Sequence, residues 1–282
     1  MARSRAILVT GMPRSGTTWV ARTLAQSPGT AMLGREPMNP RSGQYGLGGR
    51  LKGWVRLDAA EGALRRTLLR VYRGRDPRTF GRYGVRQWRA LLPGTCIVVK
   101  DPFALLSIRA VTEVTGATPV IVYRSAAETL SSYRRMDWLA DSAEFASLGA
   151  PEETSDEVTN MAAFWEWGYS WALDDLASLR GAGREFVVVS HADLTAGGSA
   201  AQGRLRERLG LGPVRVQAPA PSAGHGPASS RRVDSSRLHN LDRTPEEVLA
   251  GARANVTPDE SRRLAELTGG VWGRLEETKL VL

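Results

Sequence analysis

The sequence predicts an α/β fold in three layers, a central parallel sheet flanked by helices on both faces. Short apolar runs recur along the chain, at 7–9 (ILV), 96–100 (CIVVK), 118–123 (TPVIVY) and 185–190 (EFVVVS). Their apolar residues are consecutive and not alternating, the pattern of strands buried on both faces. Segments with apolar residues at helical spacing separate them, and strands that alternate with helices pair in parallel through crossovers. Ligands then belong at the carboxyl ends of the strands. At 282 residues the chain can bury a full core, and the length fits one large α/β domain as well as two small ones; the reading taken is a single domain over 1–282.

Each element follows in order. After the first strand a polar, glycine-containing turn leads into a helix expected to start near Gly16. Residues 34–56, with GREPMNP and GQYGLGGRLKG, form a long loop or lid, followed by a helix over 59–72 and a basic, broken stretch over 74–94. The second strand, 96–100, precedes a helix over 104–115; the third, 118–123, precedes one over 125–138. Residues 141–156 are small and polar, and a helix over 155–179 carries Trp165, Trp167, Tyr169 and Trp171. Trp165 and Trp167, two apart, cannot share a helix face, so the stripe divides between core and cleft, with core packing the alternative for each. The fourth strand leads to a helix over 203–209, and residues 213–239 carry little regular signal. Helices over 245–254, 258–267 and 271–278 close the chain. Segments 34–94, 141–156 and 213–239 are the expected covers of the site.

The net charge of +9 raises the question of nucleic acid. Only Lys52, Lys100 and Lys279 are lysines; the arginines are scattered over solvated helix faces, with a cluster between Arg65 and Arg89, and this argues against nucleic acid as the partner. The single cysteine, Cys96, forms no internal disulfide and supports no cysteine-based metal site, and no ligand cluster for a metal is visible. The apolar run after Arg3 and Arg5 is too short for a signal peptide or a membrane span, so a cytoplasmic location is expected. The oligomeric state stays open, a homodimer included.

The segment from Ala6 to Trp19, AILVTGMPRSGTTW, reads as a strand, a phosphate-cradling loop and a helix. Against the pattern G-x-x-x-x-G-K-[ST], Gly11 and Gly16 have the right spacing, Thr17 stands in the lysine position, and Arg14 puts a cation inside the loop. Backbone N–H groups and the positive end of the helix dipole favour an anion there, and Thr17 and Thr18 add hydroxyl donors. A second constellation is VIVYRSAAETLSSYRR, where Arg124 ends a strand and Ser132 follows eight positions later on a helix. The two suit a second phosphate.

Together these motifs resemble the sulfotransferases that use 3′-phosphoadenosine 5′-phosphosulfate, with a P-loop-like fold. That family pairs a loop of the form PKSGTTW or PRSGTTW with an Arg followed eight residues later by Ser. The resemblance implies that Arg14, Ser15, Gly16, Thr17, Thr18 and Trp19 bind the 5′-phosphosulfate end of the co-substrate, and Arg124 and Ser132 its 3′-phosphate. It implies adenosine 3′,5′-bisphosphate as the product and no metal. His191 falls where relatives carry a tyrosine that contacts adenine, and Arg231 and Arg232 fall where they carry a late basic loop, here without its Arg-Lys-Gly signature. The histidine base of members acting on phenols and steroids is missing, because the comparable strand ends Lys100, Asp101, Pro102. Carbohydrate-directed and bacterial branches use a glutamate after the first helix, where Glu36 stands.

In-line transfer needs positive charge on the leaving phosphate, expected from Arg14 and Lys100, and a base for the acceptor hydroxyl. Glu36 is the first candidate base; its alternative role is a loop-anchoring carboxylate paired with Arg35 or Arg41. Asp101 is the second candidate, with an alternative role as helix cap before Pro102. The expected acceptor is a hydroxyl of a carbohydrate or other small molecule, such as a natural product or lipid. A kinase of the same loop class would need the lysine that Thr17 replaces, and a polyanion-binding module would explain neither motif.

Overall fold

The computed structural model describes residues 6–41, 43–81, 85–138, 148–149, 152–214, 251 and 253–282. Strands β1 (Ala6–Thr10), β2 (Thr30–Met32), β3 (Cys96–Lys100), β4 (Thr118–Tyr123) and β5 (Val187–Ser190) form one sheet in the order β2-β3-β1-β4-β5. Every pairing is parallel, with Val9 opposite Lys100 on one side and Val120 on the other. Helices α1 (Thr17–Leu24), α2 (Gly62–Tyr72), α3 (Ile108–Thr115), α4 (Ala126–Arg135), α5 (Glu157–Gly181), α6 (His191–Ala196), α7 (Gly198–Arg208), α8 (Pro258–Leu267) and α9 (Gly269–Thr278) surround it.

Side chains alternate across a strand, so consecutive apolar residues feed two cores. Ile7, Val9, Val98, Val120, Val122 and Val189 pack against Val20 and Leu24 of α1, Leu194 of α6 and Leu205 of α7. Leu8, Ile97, Val99 and Ile121 face the other way, onto Leu68 and Val71 of α2, Val111 of α3, Leu130 of α4 and the buried face of α5. Each such fully buried aliphatic side chain contributes about 1.5–3 kcal/mol, which is why the strands tolerate no polar interruption.

The structure corrects the element reading at several points. The sheet has a fifth strand, β2, whose three residues TAM are too few to show a period; it pairs only with β3. The helix expected over 104–115 is a 3-10 helix, Pro102–Ser107, followed by α3, because the Asp101 side chain accepts from the Phe103 N–H and Pro102 sits at the first helical position. The 74–94 stretch contains 3-10 turns at Pro77–Thr79 and Val85–Leu91. Helix α7 starts earlier than 203, and α6 precedes it, capped by Ser190. Of the expected covers, most of 141–156 and nearly all of 213–239 lie outside the described residues, as does most of the helix expected over 245–254. Among the described residues no helix is long and apolar enough to cross a membrane.

Candidate functional site

The loop from Gly11 to Gly16 joins β1 to α1 at the carboxyl end of the sheet. It lies directly on the neighbouring strand, since a Cβ at Gly11 would collide with the Val122 carbonyl oxygen. The Ser15 N–H donates to the Met12 carbonyl at 3.0 Å, closing the turn. Gly16 caps α1 with φ +98° and no side-chain cap, and the first turn holds no acidic residue. The protein itself therefore leaves the helix dipole's positive end uncompensated, the condition for an anion site.

One face of α5 holds the loop in place. Trp165, Gly168 and Tyr169 stand at i, i+3 and i+4. The Tyr169 hydroxyl accepts from the Met12 N–H at 3.3 Å and donates to the Val122 carbonyl at 2.9 Å. The missing side chain of Gly168 makes room for the Met12 sulfur, and the Trp165 indole donates to the Arg124 carbonyl at 2.8 Å. Trp165 is fully buried, whereas Trp167 is only partly so, as their spacing requires.

Arg124 follows β4, and Ser125 opens α4 with a capping box completed by Glu128. From α4, buried Ser132 reaches the loop: Arg14 Nε donates to Ser132 Oγ at 3.0 Å, and Arg135 Nη2 donates to the same oxygen at 3.3 Å. Arg14 can make this contact because its backbone is left-handed, φ 72°, at a cost of about 1–2 kcal/mol for a residue with a Cβ. Burial, then repulsion from Arg135 and Arg124, presses the Arg14 guanidinium below its ordinary pKa. Burial and Arg135 do the same to Arg124, against the pull of Glu128, and Arg124 Nε is buried without a partner among the described residues. Arg14 and Arg135 share one hydroxyl and Arg124 is close enough to act on both, so these like charges favour an anion among them.

His191 closes the other side of the loop. Its ring lies where a Cβ on Gly16 would be, and meets Trp19 edge-on at 5.5 Å between centroids. Burial, with Arg124 nearby, lowers its pKa to about 3, so the ring is neutral at physiological pH; its Nδ1 is buried without a partner among the described residues. The unpartnered Arg124 Nε and His191 Nδ1, beside the open N-terminus of α1, make this a place that can hold an anion.

The second half of the site lies at the end of β3. Lys100 Nζ donates to Glu36 Oε1 and Asn39 Nδ2 to Glu36 Oε2, all three residues being buried. Gln44 accepts from the Glu36 N–H at 2.8 Å. Burial brings Lys100 down to about 8, with Asp101 opposing and Arg22 adding to the shift. Both oxygens of Asp101 are committed, one to the Phe103 N–H at 3.0 Å and the other to the Met38 N–H at 2.5 Å, so Asp101 ties the Glu36 turn to the sheet. Burial raises its pKa to about 7. The ring of Trp138 joins the two halves, with the Arg14 guanidinium 5.5 Å and the Arg41 guanidinium 5.7 Å from its centroid.

Arg14, Ser15, Gly16, Thr17, Thr18, Trp19, Arg124, Ser132 and His191 thus gather around one loop, and Glu36, Lys100 and Asp101 meet beside it. Arg231 and Arg232 lie outside the described residues. Sequence reasoning missed Arg135, Asn39 and Trp138. Arg135 was findable, one helical turn after Ser132 in SSYRR. Asn39 lies three residues after Glu36, but nothing in a loop sequence says that it turns back. Among the described residues no group of three His, Cys, Asp or Glu side chains is placed to hold a metal ion.

The sequence profile of the sulfotransferase family matches residues 6–212. Among solved structures the chain is similar to sulfotransferase STF9 from Mycobacterium avium, with 14% identity over 77% of this chain and 66% of that one and a TM-score of 0.40. It thus spans just under two thirds of that relative's length. It is also similar to sulfotransferase STF1 from Mycobacterium tuberculosis H37Rv, with 15% identity over 95% of this chain and 77% of that one and a TM-score of 0.44. No curated protein matches the chain.

Proposed function

The chain belongs to the sulfotransferase family, and on that premise we propose that it moves a sulfuryl group from 3′-phosphoadenosine 5′-phosphosulfate to a hydroxyl of a carbohydrate or other small molecule. The observation that carries this reading is the meeting of Arg14 and Arg135 on Ser132, with Arg124 close to both, beside the open N-terminus of α1. When bound, the donor supplies a sulfuryl group whose departure leaves its electron pair on the 5′-phosphate. In this reading Arg14, Thr17, Thr18 and the backbone of the loop hold the 5′ end; Arg124, Ser132 and Arg135 hold the 3′-phosphate; and Trp19 and His191 flank the base. Arg231 and Arg232 are assigned to the same phosphate by resemblance alone.

Glu36 receives the proton of the acceptor hydroxyl. To do so it must give up the lysine that now sits on its Oε1, and Lys100, released, turns its charge toward the negative oxygens of the transferring group. Asn39 keeps Glu36 oriented from the other oxygen. Asp101, bound at both oxygens to backbone N–H groups, positions this turn and stands second as a base. Turnover with labelled donor tests the assignment: Glu36→Gln lowers transfer by about 10²–10⁴-fold and leaves affinity for adenosine 3′,5′-bisphosphate unchanged. Full turnover by that variant overturns the choice of Glu36 and points to Asp101→Asn as the next substitution.

A further inference from the structure

Positive charge is distributed unevenly along this chain. Between residues 62 and 95 there are nine arginines and one carboxylate, Asp76, while the remainder is nearly balanced, so this stretch carries almost all of the net +9. Asp76 does not offset it at the surface: it is fully buried, accepting from the Tyr45 hydroxyl at 2.6 Å and from Arg78 at 2.9 Å. Among the described residues the side chains of Arg73, Arg75 and Arg89 are exposed and pair with no carboxylate.

The same stretch exposes large apolar side chains. Trp88 is 49%, Leu91 56% and Leu92 60% accessible, three of the five large hydrophobic residues that stand exposed among the described ones. Cations and apolar groups share one place. Gly74 packs so closely on Ala90 that a Cβ there would lie 2.5 Å from the Ala90 carbonyl oxygen, which puts Arg73 and Arg75 beside Arg89 and Leu91. Trp88 is braced on Phe80 at 4.7 Å between ring centroids, and the Leu92 N–H donates to the Arg89 carbonyl at 2.9 Å, holding the turn that presents both leucines.

We propose that this surface docks the chain onto an anionic lipid bilayer. Arginines meet the headgroups while Trp88, Leu91 and Leu92 enter the boundary below them. Exposed leucines decide between this and a soluble polyanion: a nucleic acid or charged glycan would use the arginines and leave the leucines in water. The inference is independent of the sulfuryl-transfer reading, since no residue of the patch belongs to that site.

Co-sedimentation with vesicles tests it, using phosphatidylcholine alone and phosphatidylcholine with about 30% phosphatidylglycerol. The full chain is expected to bind the anionic vesicles at least about tenfold more tightly than the neutral ones, and to lose that binding as salt is raised from about 50 to 500 mM. Leu91→Ser/Leu92→Ser is expected to lose about tenfold on these vesicles and nothing on heparin. Two results overturn the proposal: no preference for anionic vesicles, or vesicle binding by the leucine variant equal to that of the wild type, which identifies a plain polyanion site. A second measurement needs no folded double variant: brominated acyl chains quench the wild-type tryptophan fluorescence, and failure to quench contradicts insertion.

Discussion

At the scale of single residues, the site is built from groups held in states they would not choose alone. Arg14 adopts a left-handed backbone to reach Ser132, and burial, with two more guanidiniums beside it, lowers its pKa. His191 is kept neutral by burial, its pKa lowered from 6.5 to about 3. A group whose folded pKa is lowered contributes stability that is complete above pH 6.5 and is lost as the pH falls toward 3. Asp101, raised to about 7, acts in the opposite sense: its contribution is complete below about 4 and is lost as the pH rises to 7. Replacing His191 by a side chain that does not titrate isolates its share. Denaturant unfolding at pH 7 and pH 4 is expected to show His191→Gln losing about 1–3 kcal/mol less than the wild type between the two. Parallel losses would contradict the buried, neutral histidine.

At the scale of elements, close approach governs the loop between β1 and α1. Gly16 has φ +98° and its missing Cβ leaves the space that His191 fills. Gly16→Ala is expected to destabilise the fold by about 1–3 kcal/mol, read as a lowered melting temperature. The double variant with His191→Ala regains the part that comes from collision, and strict additivity would deny the contact. The loop, the strands β1, β3, β4 and β5, and the long helices that follow them were legible because consecutive apolar residues and Gly spacing carry them locally, whereas the short α6 was not. What escaped the sequence is non-local. β2 is too short for a period and owes its pairing to β3. The 3-10 start before α3 is set by Asp101, whose other oxygen is taken by Met38 from a distant loop. Arg124 and Ser132 stood out by their spacing, but that Arg14 and not Arg124 donates to Ser132 depends on the left-handed turn at Arg14. Glu36 was visible as a lone carboxylate in GREPMNP; that Lys100 is its partner emerges only when β3 and the 34–56 loop meet at one end of the sheet.

At the scale of the whole molecule, the parallel sheet explains why these parts coincide. All five strands point the same way, so the Arg14 loop after β1, Lys100 and Asp101 at the end of β3, Arg124 after β4 and His191 after β5 gather along one edge. Helix α5 fastens two of them at once through Trp165 and Tyr169. The charge is divided too: half-buried Arg14 and Arg124, with exposed Arg135 beside them, lie at the loop, while the exposed Arg73, Arg75 and Arg89 flank an apolar patch. The arginine cluster and the loop are proposed as one site for a nucleotide with phosphates at both ends of its ribose. Calorimetric titration with adenosine 3′,5′-bisphosphate in the absence of magnesium tests it most directly. Saturable binding is expected, weakened by about tenfold or more in Arg124→Ala or Arg135→Ala, with ATP and magnesium binding far less tightly. Preference for ATP with magnesium, or no heat with the bisphosphate, would contradict it.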